Sequence, residues 1–126
     1  MPEISALTGR FMYILKLKPV LVAEMGIKNF VQKAKKAKLS GVWIKVAEGR
    51  NPYTNVRGEM ESQFHEVVQS LNDHGIDVWG SHVPQAATVD AGREEAQLVA
   101  SLAEQFDVSG VLMDAEAGGR IFQGKF

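Results

Sequence analysis

Residues 42–49 read VWIKVAEG, and the alternation in this stretch decides the fold. Val42, Ile44 and Val46 recur at every second position, as one face of a β-strand requires. Trp43, Lys45 and Ala47 take the other face. Gly49, three residues past the apolar set, then marks a turn. An aliphatic face suits packing against helices. The opposite face mixes an aromatic ring with a lysine, so it borders something other than an ordinary core.

Three further segments resemble this one in kind. FMYILKL (11–17) ends before Pro19, and DVWGSHV (77–83) and VLMDA (111–115) complete the set. All are rich in β-branched, aromatic or long apolar residues. Between them the apolar period lengthens to that of a helix. Ile27, Phe30, Val31, Ala34 and Ala37 form one stripe, with lysines on the solvated side. Met60, Phe64, Val67, Val68 and Leu71 form a second, stopped by Gly75. Leu98, Val99, Leu102, Ala103 and Phe106 form a third.

The predicted order is four strands alternating with three helices. Strand starts recur at a spacing of about thirty-odd residues, the size of a βα unit. Crossover helices make neighbouring strands parallel. Two architectures fit: a small open doubly wound sheet, or half of a TIM-like (β/α)8 barrel, whose complete form needs about 250 residues. The 126 residues are expected to make a single domain, 1–126.

Composition narrows the function. The chain is 45% hydrophobic and 23% charged, with a net charge of −1, so no bulk field draws it to nucleic acid or a membrane surface. It has no cysteine, which removes disulfides and thiolate metal sites and fits a reducing compartment. The start MPEISALTGR lacks the apolar core of a signal peptide. The expectation is a cytoplasmic α/β protein.

Chemistry-bearing residues gather at the carboxyl ends of the predicted strands, where parallel α/β folds bind ligands. They are Glu48, Ser81, His82, Asp114 and Glu116. The loops EGRNPYTNVRG, PQAATVDAG and AGGR follow them. On the last strand, Asp114 and Glu116 share a face with Leu112. Lys45 points to the same side from its own strand and is expected to pair with Asp114, since a buried lysine is costly unless paired. The parity of the third strand stays open, though His82 lies at its C-terminal end either way. Glu48, His82, Asp114 and Glu116 could also ligate a hard cation. With one histidine at the rim and Lys45 repelling a cation, no metal or cofactor is expected.

Three stretches, WIKVAEG (43–49), GIDVWGSHV (75–83) and VLMDAE (111–116), resemble in order and spacing the first half of the glycosyl hydrolase family-twenty-five lysozymes. The matching positions are Ile44, Lys45, Glu48, Gly49, Gly75, Gly80, His82, Asp114 and Glu116. The resemblance implies a half barrel acting on peptidoglycan or another glycan, with Glu116 as general acid and Asp114 as auxiliary carboxylate. Lys45, Glu48, His82, Trp43 and Tyr53 are the implied substrate-binding residues, with Trp79 a further stacking surface. The first strand lacks the acid that the family carries there, and Ser81 stands in place of a tyrosine. Those departures keep a second reading open, a non-catalytic carbohydrate-binding or structural homodimer. Half a barrel exposes two strand edges, so a homodimer closing an eight-stranded barrel is expected.

Overall fold

A computed structural model describes residues 9–114. Strand β1 (Phe11–Ile14) leads into helices α1 (Leu17–Ala23) and α2 (Ile27–Lys36). Strand β2 (Gly41–Glu48), a two-residue strand β3 (Asn51–Pro52) and a single 3-10 turn (Thr54–Val56) precede helix α3 (Met60–Asp73). Strand β4 (Asp77–Val83), helix α4 (Val89–Phe106) and strand β5 (Val111–Met113) follow.

The sheet runs β1-β2-β4-β5, with β1, β2, β4 and β5 parallel and β3 hairpinned back on β2. The four parallel strands are those expected, joined by crossovers of helical length. A doubly wound sheet reverses its strand order at a switch point; the described strands follow chain order without reversal.

Among the described residues four α-helices form instead of three. The expected strand 11–17 stops at Ile14, and α1 begins at Leu17 with Pro19 in its first turn. The N–H that proline lacks has no intrahelical partner there, so Pro19 begins a helix and does not merely end a strand. α4 also starts earlier than its apolar stripe, at Val89. The Thr88 side chain caps it by accepting from the Ala91 N–H at 3.0 Å. The loop after β4 therefore shrinks to Pro84–Thr88.

The helices cover one face of the sheet. Val42, Ile44, Val46 and Val78 pack there against Phe30, Val31, Phe64, Val67, Leu71 and Phe106 in one apolar cluster. Phe64 meets Phe106 edge-on with ring centres 4.9 Å apart. No helix among the described residues is long and apolar enough to cross a membrane.

Candidate functional site

The face that the helices leave uncovered carries the residues of interest. Register pairs Tyr13 with Trp43, Trp43 with Trp79, Lys45 with Ser81, and Ser81 with Leu112. Partners in a parallel ladder point to the same side, so these six residues share the uncovered face, and Asp114 continues their row. The Asp114 N–H donates to the His82 carbonyl at 2.8 Å, carrying the β5 ladder to the rim.

A cleft of about 480 Å³ opens on this face, lined by Tyr13, Trp43, Ser81, Leu112, Met113 and Asp114. Its aromatic lining is Tyr13 and Trp43. Trp43 lies tilted at 47° to Phe11, with ring centres 6.0 Å apart. Trp79 sits over Gly110, where a Cβ would come within 2.3 Å of the indole. Any larger residue at 110 would displace that ring. Ser81 is 4% exposed, yet its hydroxyl has no hydrogen-bond partner among the described residues, and neither indole N–H has one. Buried polar groups are ordinarily bonded, so three such atoms on one face single it out as the candidate site. Asp114 stands exposed at the mouth.

Lys45 does not reach Asp114. It is 6% exposed and donates to Glu48 Oε1 at 2.6 Å. A β-bulge explains the change of partner. Strict alternation would send Lys45 and Glu48 to opposite faces, but β2 slips register between Lys45 and Ala47. The extra residue restores Glu48, opposite Val83, to the uncovered face. The Lys45 ammonium also lies 4.3 Å from the centre of the Tyr53 ring. Lys45, Glu48 and Tyr53 therefore form one cluster, while Trp43 and Asp114 line the cleft.

His82 stands apart from both groups. It alternates with Ser81 and so points to the helix side, where it is 1% exposed. Its Nε2–H donates to the Gly49 carbonyl at 3.1 Å, and Glu95 Oε1 lies 3.5 Å away. Accepting by the carbonyl puts the proton on Nε2 and leaves Nδ1 without a partner among the described residues. Burial pushes the imidazole pKa below its ordinary value, outweighing the Gly49 carbonyl and the Glu95 carboxylate, which act upward. His82 is thus a neutral tie between rim loops, since Gly49 opens the β2–β3 turn. That turn needs glycine, with φ at +56° and the Gln85 side chain 2.7 Å from where a Cβ would sit.

Two residues that hold the rim escaped the sequence reading. Glu95, 3% exposed, accepts from the Gln85 N–H at 2.8 Å and the Ala86 N–H at 2.6 Å, fixing the loop after β4. It keeps Ala86 in a left-handed conformation, φ +46°. Its spacing to Val99, Leu102 and Phe106 put it on the apolar stripe of α4, and that signal could have found it. Asn55 is the second. Its Oδ1 accepts from the Leu17 N–H at 2.8 Å, and its Nδ2 donates to the carbonyls of Leu15 at 2.8 Å and Lys45 at 2.9 Å. It thereby stitches the start of α1 to β2. Nothing local in TNV distinguishes it.

Glu116, the expected general acid, and the loop AGGR lie outside the described residues. Among the described residues no three His, Cys, Asp or Glu side chains gather to hold a metal ion. In comparisons with known proteins, no family model, no curated protein and no solved structure matches the chain.

Proposed function

We propose that the chain is half of a (β/α)8-type barrel that binds a glycan on its uncovered sheet face. The cleft carries this reading: the aromatic rings of Tyr13 and Trp43 beside a buried Ser81 hydroxyl and Trp43 indole N–H that have no partner among the described residues. A sugar ring has C–H faces that lie against aromatic rings, and hydroxyls that both donate and accept. Concave, mostly apolar sites with few fixed polar groups are the usual form of small-ligand sites. The unreversed strand order supports the barrel half of the reading.

Titration with soluble peptidoglycan fragments and other oligosaccharides, followed by tryptophan fluorescence, tests it. Saturable binding that weakens in Trp43→Ala and Ser81→Ala is the expected result. A chain that binds none of them refutes the reading.

Asp114 at the mouth of the cleft favours a hydrolytic version. In that version Glu116, two residues on, protonates the glycosidic oxygen, and Asp114 acts as the auxiliary carboxylate. Lys45 supports it only from a distance, because its charge is taken up by Glu48. Glu116→Gln then abolishes turnover of a chromogenic glycoside and leaves binding intact. Turnover that survives Glu116→Gln removes Glu116 from the chemistry.

A further inference from the structure

The two ends of the sheet carry opposite charge. Residues 9–40, which form β1, α1 and α2, hold eight lysines and arginines against one acid, Glu24. Residues 89–114, which form α4 and β5, hold six acids against one base, Arg93. The near-zero net charge of the whole chain conceals this polarity. The strand order β1-β2-β4-β5 places the basic segment at one edge and the acidic segment at the other.

Those same edges are unpaired and apolar. Among the described residues, nothing pairs with the outer side of β1 or of β5. Met12, Tyr13 and Leu15 are exposed along the first edge, and Met113, 60% exposed, along the second. Beside Met12 an apolar groove of about 220 Å³ runs between α1 and α2, lined by Val20, Phe30, Ala34 and Leu39. Unpaired N–H and C=O groups on an edge, flanked by exposed apolar side chains, are a template for another strand.

We infer that the occupant of each edge is the opposite edge of a second copy of this chain. Both edges belong to one parallel sheet. A two-fold axis along the strands therefore sets β1 of one copy beside β5 of the other, in parallel, twice over. Each junction brings a basic end against an acidic end, which aligns the copies and disfavours like-edge pairing. Met12 and Met113 fall on the helix side at each junction, where the groove receives the methionine. Two four-stranded copies make eight strands, the number at which a barrel interior is just filled by side chains. The second copy also walls in the cleft that one copy leaves open. This inference does not depend on the ligand being a glycan.

Light scattering on the full chain at micromolar concentration tests it. A discrete dimer is expected. Its dissociation constant should rise about tenfold or more between about 0.1 M and about 1 M salt, as the screening length falls from about 10 Å to about 3 Å. Met113→Asp, at an exposed position, is expected to give a monomer with an unchanged circular dichroism spectrum. Lys16→Glu and Asp114→Lys reverse charges at the C-terminal ends of the two edges. Each should weaken the dimer, and the pair together should restore part of the loss. Hydrogen exchange should show β1 and β5 amides protected in the dimer and released in Met113→Asp. A monomer at low salt, an open polymer that lengthens with concentration, or a dimer whose β1 and β5 amides exchange as fast as in Met113→Asp would each overturn the inference. Glycan titration of Met12→Asp, a groove residue outside the cleft whose charge should likewise keep the edges apart, separates the two proposals: binding by that monomeric variant leaves the ligand reading standing whatever the oligomer does.

Discussion

β2 has two faces, and they are completed to very different degrees. On the helix side, Val42, Ile44 and Val46 are fully enclosed by α2, α3 and α4, and apolar atoms meet apolar atoms throughout. On the other side, Trp43 is half-buried, Lys45 is neutralised by Glu48, and the neighbouring Ser81 hydroxyl has no partner among the described residues. The first face is where folding free energy accumulates, because burial scales with apolar area removed from water. The second holds desolvated polar atoms that contribute nothing to stability unless a ligand or another chain meets them. The contrast separates what holds the molecule together from what it presents outward.

The sharpest way to break this contrast is to cut into the closed face. Phe64→Ala removes a fully buried ring that meets Phe106 edge-on and should cost about 3–5 kcal/mol in denaturant unfolding. A loss under about 1 kcal/mol would mean that this face is not the core. Asn55→Ala should come next, at about 3 kcal/mol, since it orphans a buried N–H and two carbonyls at once. That loss would show that the uncovered side is also anchored, through the loop that carries Tyr53.

A smaller effect follows from His82. Its folded pKa lies below the unfolded value near 6.5, so between the two the unfolded chain binds more protons. The stability it contributes is complete above pH 6.5 and declines as pH falls toward and through the lowered folded value. His82→Asn should flatten that part of the pH–stability curve. An unaltered slope would place the titration elsewhere.

Ser81→Ala should have the smallest effect on stability, within about 0.5 kcal/mol or slightly stabilising, because it deletes a desolvated hydroxyl with no described partner. The same substitution should weaken ligand binding. A loss of stability above about 1 kcal/mol would show that the uncovered face is part of the structural core after all.

Much of the fold was legible in the sequence because alternation and helical spacing are local consequences of backbone geometry. The four parallel strands and three of the helices follow from it, as does the sharing of one face by Trp43, Lys45 and Leu112. α1 was hidden because Pro19 reads equally as the end of a strand or the start of a helix. The early start of α4 was hidden because Gly92 and a run of polar residues mask the first turns. The rim was less legible. His82 was correctly placed at a strand end, but its direction depends on parity that only neighbouring strands reveal. Glu95 reads as a surface helix acid until two loop N–H groups converge on it.

The sequence by itself determined the strands and most of the helices, the aliphatic face of β2, and the opposite charges of residues 9–40 and 89–114, because these depend on residue order alone. The tertiary structure decided who pairs with whom. One extra residue in β2 turned Glu48 to the side of Lys45 and left Asp114 without that partner. The order of the strands carried the basic and acidic segments to opposite edges. Both outcomes depend on register between segments distant in the chain, and no local pattern encodes it.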